Sequence, residues 1–140
     1  MSALDSLIRL HRWQVDERRR HLADLDGLAA QLTEESQRLD REEAREQAAA
    51  AASPEAAITY AAYARQLVER RRKLAQSQAE VAQQIERNRA LLAEASQEVK
   101  RYETMEVNRL RQQQRREERR HQQALDNSGT EPLRRRGGKD

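Results

Sequence analysis

The sequence predicts an all-α fold: two helices folded back on each other as an antiparallel coiled-coil hairpin, the second helix longer, followed by a disordered C-terminal tail. Three observations carry this. Apolar residues recur at alternating steps of four and three on both sides of a short break, the pattern of a helix that packs against one other helix. The composition is that of long helices: 36 % of residues are charged, Gly is 4, Pro is 2 and Phe is absent, while Ala, Gln, Glu, Arg and Leu dominate. Ser53-Pro54-Glu55 separates the two periodic stretches with the chemistry of a helix start.

The first helix is expected over about residues 3–51. Leu4, Ile8, His11, Val15, Arg18, Leu22, Leu25, Ala29, Leu32, Ser36 and Leu39 form its stripe, and Leu7, Leu10 and Leu28 widen it. Gly27 lies inside this helix and costs it about 1 kcal/mol against Ala, which marks either a weak point or a close helix contact. The alanine run from Ala48 to Ala52 is low in complexity but has the best helix propensity, so it extends the helix. The turn falls at about residues 52–54. Ser53 suits the N-cap, Pro54 the first helical position, and Glu55 the positive end of the helix dipole.

The second helix is expected over about residues 54–126, roughly 110 Å at 1.5 Å per residue. Its stripe reads Tyr60, Ala64, Leu67, Arg71, Leu74, Gln78, Val81, Ile85, Asn88, Leu92, Ala95, Val99 and Tyr102, with no Pro or Gly to interrupt it. Asn127-Ser128-Gly129 then signals a stop, with Pro132 shortly after. The hairpin thus spans residues 1–126, and residues 127–140, including Arg134-Arg135-Arg136, form the disordered basic tail.

So short a turn makes the helices antiparallel neighbours. Setting small residues against large ones pairs Leu39 with Ala64, Ser36 with Leu67, His11 with Leu92 and Leu4 with Val99. A shift of one heptad would set Leu39 against Arg71, an apparently worse match. In the preferred register Arg18, Arg71, Gln78 and Asn88 help to fix the alignment at some cost in stability. The first helix runs out near Tyr102, so Glu103 to Asp126 project uncovered for roughly 36 Å. Met105, Val107, Leu110 and Leu125 are scattered apolar points on that overhang. A lone polar helix is marginal in water, which makes the overhang the first candidate interaction surface.

Several function classes fall away. A two-helix seam encloses no deep dry cavity, which argues against an enzyme. His11, His21 and His121 have no cysteine and no carboxylate cluster at ligand spacing. No Gly-rich phosphate loop is present, and Glu34-Glu35 and Glu42-Glu43 are solvated helix faces. No catalytic residue, metal ligand or cofactor is therefore nominated. The net charge of +3 is the normal surface of a solvated coil. Arg18-Arg19-Arg20 superficially looks like a basic region before a zipper. Asp16, Glu17, Asp24 and Asp26 surround it, and no specific nucleic-acid binding is expected. Leu7, Ile8 and Leu10 are cut short by His11 and Arg12, far from the roughly 18 apolar residues of a spanning helix. The reading is of a cytoplasmic protein, monomeric on its own. Among the aromatics, Tyr60 and Tyr102 sit on the seam, Tyr63 on its flank beside the turn, and Trp13 opposite it, where an exposed ring can anchor a partner.

The arrangement resembles the FliJ family of flagellar type III export proteins. The resemblance is carried by Leu4-Asp-Ser-Leu-Ile-Arg-Leu, Ile58-Thr-Tyr-Ala-Ala-Tyr-Ala-Arg-Gln-Leu67, Val99-Lys-Arg-Tyr-Glu-Thr and Arg116-Glu-Glu-Arg-Arg-His-Gln-Gln-Ala-Leu-Asp126. It covers most of residues 4–127. It implies a non-enzymatic stalk whose end with both termini enters the hexameric export ATPase ring. The end near the turn contacts the cytoplasmic domain of the export gate protein, and export chaperones bind as well. Membrane association is then peripheral, through the export apparatus at the base of the flagellum. Carried over by position, Tyr60, Tyr63 and Leu67 match the family's gate-contacting segment. At the other end, Trp13, Arg109, Arg111, Arg115, Arg116, Arg119 and Arg120 are the expected ring-facing residues. The charged, Ala-rich stretch from Glu43 to Ala52 departs from the family's aromatic and glutamine positions there. The alternative reading is a structural or DNA-associated coiled coil, and the stalks of virulence type III systems share the pattern.

Overall fold

The computed structural model describes the backbone of residues 2–137 and the side chains of residues 2–129. Two helices, α1 (Ala3–Ala50) and α2 (Pro54–Gly137), fold into an all-helical hairpin whose second helix is the longer. α1 starts with a reciprocal cap. The Asp5 amide donates to the Ser2 hydroxyl at 3.1 Å, and the Ser2 amide donates to the Asp5 carboxylate at 3.2 Å. Two otherwise orphaned amides are satisfied in this way. The Ala52 amide closes the end of α1 onto the Ala49 carbonyl at 3.2 Å. The Ser53 hydroxyl then accepts from the Ala56 amide at 3.1 Å, with Pro54 at the first helical position.

The core is a single seam. Ile8, Val15, Leu25 and Leu39 are buried on α1, and Leu67, Val81, Asn88 and Val99 on α2, with Leu39 the most enclosed at 1 % exposure. Apolar positions of the two stripes meet and exclude water, which is the main term holding two such helices together. The stripe on α1 is narrower than its sequence suggests. Leu10 and Leu28 are exposed rather than widening it, and Arg18 is exposed too, its charged head carried to water by a long stem. Asn88 is buried, but its amide donates to the Gln84 carbonyl of its own helix at 2.8 Å, so its side-chain N–H satisfies itself locally. Gly27 is neither left-handed nor a close contact: an added Cβ there would meet nothing within 4 Å.

Two compact units divide the chain, one of Trp13–Ser96 and one joining the residues up to Arg12 to those from Gln97 onward. In the first, Arg71 lies beside Asp40 at 2.8 Å and Glu43 at 2.7 Å. In the second, His11 stacks on Tyr102 and Arg12 pairs with Glu103 at 2.8 Å. Both sets lie several residues further along α2 than the pairing of Leu39 with Ala64 and His11 with Leu92 would put them. Arg71 is tolerated on the stripe because its stem packs while its guanidinium reaches out to two carboxylates.

The shift moves the start of the overhang. Tyr102, Glu103 and Glu106 are still half-buried, and the described residues from Val107 to Gly129 are all exposed. The helix also continues beyond the stop expected after Asp126, through Asn127-Ser128-Gly129 to Gly137. A glycine stop acts through a left-handed φ, and no described glycine has one. The side chains of the expected basic tail from residue 130 lie outside the described residues.

Candidate functional site

Two surfaces stand out from the seam. The first lies beside the turn, on Tyr60, Tyr63 and the late part of α1. The Gln47 amide donates to the Tyr60 hydroxyl at 3.1 Å. The Tyr60 and Tyr63 rings are tilted by 40° with centroids 6.2 Å apart. Tyr63 is half-buried, and its enclosed hydroxyl oxygen lies beside the Glu42 carboxylate. Burial first, then its hydrogen-bonding interaction with Glu42, push the Tyr63 phenol above its ordinary value. Glu42 is itself held by Arg70, through contacts of 3.0 and 3.4 Å. That donated pair keeps the Glu42 carboxyl below its ordinary range and raises Arg70. Leu67 is 4 % exposed, so it supports this surface from beneath rather than facing outward. Ile58 and Val68, by contrast, are large exposed apolar side chains on the same stretch of α2.

Sequence reasoning missed how α1 contributes here. The charged stretch that departs from the family pattern supplies Gln47, which holds Tyr60, and Glu42 just before that stretch flanks Tyr63. A usable signal was present: Asp40, Glu42 and Glu43 on one helix complement Arg70 and Arg71 on the other.

The second surface is the uncovered part of α2. Arg109, Gln112, Gln113, Arg116, Glu117 and Arg120 line one face of it, which continues the direction of the seam after the apolar stripe has ended. Arg109 pairs with Glu106 of its own helix at 2.8 Å. It also lies near enough to the Asp5 carboxylate to lower that group's pKa, after the larger effect of the Ser2 hydrogen bonds. Arg111, Arg115, Arg116, Arg119 and Arg120 are exposed and make no ion pair with any described residue. Charges so placed are solvated, with no internal partner to lose on meeting an acidic surface. Between the start of α1 and α2, an open groove of about 670 Å³ is lined by Asp5, Ile8, Arg9, Arg12, Glu103, Glu106 and Val107. Trp13, in the other compact unit, is 57 % exposed on α1.

Among the described residues, no group of His, Cys, Asp or Glu is placed to hold a metal ion. No helix of the described residues is long and apolar enough to cross a membrane. In comparison with known proteins, the family model described as "Flagellar FliJ protein" matches residues 1–137. No curated protein and no solved structure matches significantly.

Proposed function

The chain belongs to the FliJ family, a non-catalytic component of the flagellar protein-export apparatus, and on that premise we propose that it is the stalk that couples the export ATPase to the export gate. In this reading the uncovered part of α2 enters the hexameric ATPase ring. Its arginines, Arg109, Arg111, Arg115, Arg116, Arg119 and Arg120, face the inner wall, and Trp13 serves as an apolar anchor on α1. Tyr60 and Tyr63, with Leu67 beneath them, meet the cytoplasmic domain of the gate protein. Export chaperones are further partners, and the protein works in the cytoplasm, reaching the membrane through the apparatus alone.

The observation that carries the ring reading is the exposure of every described side chain from Val107 to Gly129. A helix with no buried side chain among those described gains little from packing on its own chain, so its order in water rests on propensity and on whatever it meets. The basic face supplies a stated chemistry for that meeting: apart from Arg109, which pairs with Glu106, its guanidinium groups make no ion pair with any described residue, and they suit carboxylates and carbonyls lining a pore.

The test is a chain cut after Leu110, which keeps the half-buried Tyr102, Glu103 and Glu106 and so keeps the paired helices. Circular dichroism should show the remaining hairpin folded, while stimulation of the hexameric ATPase is lost. Full stimulation by the shortened chain would defeat the proposal.

A further inference from the structure

We infer that the gate contact extends past the tyrosines onto the outward face of α2. There Ile58, Ala61, Ala62, Arg65 and Val68 form a seat for an amphipathic helix of the gate domain that carries a carboxylate for Arg65. The inference rests on the gate reading above and adds to it a surface and the chemistry of the partner.

The residues carried over for this contact are largely engaged inside the hairpin. Tyr60 is tied to Gln47, the Tyr63 hydroxyl is enclosed beside Glu42, and Leu67 is buried. Ile58 at 74 % and Val68 at 69 % are the most exposed of the large apolar side chains among the described residues. Steps of three and four join them through Ala61, Ala62 and Arg65, all exposed. The five share one side of the helix, away from the seam positions Tyr60, Ala64 and Leu67. From Ile58 to Val68 the strip runs about 15 Å, or roughly three turns of a partner helix. The two alanines between the larger side chains let a second backbone come close.

Charge selects the partner. Arg70, Arg71 and Arg72 each have a carboxylate within the hairpin, whereas Arg65 makes no ion pair with any described residue. An acidic side chain on the incoming helix supplies one between Ile58 and Val68, where the apolar groups on either side keep water away and strengthen the pair. A second copy of this chain lacks that fit. Laid parallel it sets Arg65 against Arg65, and laid antiparallel about Ala61 and Ala62 it sets each Arg65 on the other's Ile58. The gate domain thus wraps α2 beside the turn, with Tyr63 on one flank and this strip on the outside.

Calorimetric titration of the full chain with the cytoplasmic domain of the export gate protein tests this. Ile58→Ser combined with Val68→Ser should weaken binding about tenfold. Both side chains are exposed, so the thermal midpoint read by circular dichroism should not change. Arg65→Glu should weaken binding by a similar factor and Arg65→Lys by little, and added salt should narrow the gap between Arg65→Glu and the unaltered chain. If the unaltered chain binds and the Ile58 and Val68 variant binds equally well, the gate reading stands and the outward strip is overturned. If Arg65→Glu binds like the unaltered chain, the acidic chemistry assigned to the partner is overturned. If the unaltered chain does not bind the domain, the gate reading fails and takes the inference with it. A dimer in sedimentation that the Ile58 and Val68 variant dissolves shows a second copy on the strip, and overturns the inference in that way.

Discussion

The rings of His11 and Tyr102 stack with centroids 4.8 Å apart and an angle of 24° between their planes. The contact joins an early turn of α1 to α2, with Arg12 and Glu103 beside it, near the end of the paired helices. Stacked aromatic pairs contribute about 0.5–1.5 kcal/mol beyond their buried area. A double-mutant cycle of His11→Ala and Tyr102→Ala, read from denaturant midpoints, should therefore show a coupling of about 1 kcal/mol. Strict additivity would mean that the rings do not meet in solution.

Arg71 should not tolerate a change of sign. It stands between Asp40 and Glu43, so Arg71→Glu brings a third carboxylate to the same place, and the midpoint of thermal unfolding should fall by several degrees, on the order of 1–2 kcal/mol. Arg71→Leu should cost much less, because the stem that packs in the seam is replaced by another apolar group. Equal losses from both substitutions would contradict the placement of Arg71 between those two acids.

Leu39 and Gly27 should respond in opposite directions. Leu39, at 1 % exposure, should lose about 3 kcal/mol on Leu39→Ala, within the range for buried leucines. Gly27→Ala should gain up to about 1 kcal/mol, since the new methyl meets nothing within 4 Å and only the helix propensity changes. Chemical denaturation of the two variants checks both signs.

Acid should weaken the hairpin over a definite window. Hydrogen bonds from Arg70, Arg72 and Ser2 hold Glu42, Glu69 and Asp5 below their ordinary values of 4.5, 4.5 and 3.8. A depressed carboxyl binds its proton more weakly folded than unfolded. Its stabilising effect is thus present above the unfolded value and lost as pH falls through the folded one. Stability should be level between about pH 5 and 8 and decline below 4.5, the ordinary value for Glu42 and Glu69. Glu42→Gln should reduce that decline. An acid limb identical in Glu42→Gln and the unaltered chain would remove Glu42 from the account.

Trypsin should find the uncovered helix first. Arg111, Arg115, Arg116, Arg119 and Arg120 are exposed on a stretch with no buried side chain among those described, and such helices open locally at little cost in free energy. Brief digestion followed by mass spectrometry should place the earliest cuts between Arg111 and Arg120. Addition of the hexameric ATPase should slow them.

Much of the fold was legible in the sequence because a two-helix seam is written in period. Ile8, Val15, Leu25, Leu39, Leu67, Val81 and Val99 are all buried positions of the two stripes. The register was less legible, and Arg71 shows why. Scored as a charge, it reads as a misfit in the seam; treated as a stem with a movable head, it fits there. The uncovered stretch accordingly begins at Val107 rather than at Glu103. Arg18 and Asn88 failed as register pins for separate reasons, one by turning to water and the other by bonding its own helix. The surroundings of the Tyr63 hydroxyl could not be read at all, since they depend on which acid α1 brings alongside and on where the Arg70 guanidinium goes.

The exposure of Val107 to Gly129 has a consequence for how this stretch can change over time. Within the covered hairpin a substitution is filtered by packing, and a poor choice is lost through instability whatever the protein does. Along the uncovered helix that filter is absent: Arg, Gln, Glu or Lys would serve the chain's own stability almost alike. Whatever preference for arginine persists there is not imposed by packing, and on the proposed ring reading it answers to the chemistry of the surface that the helix meets.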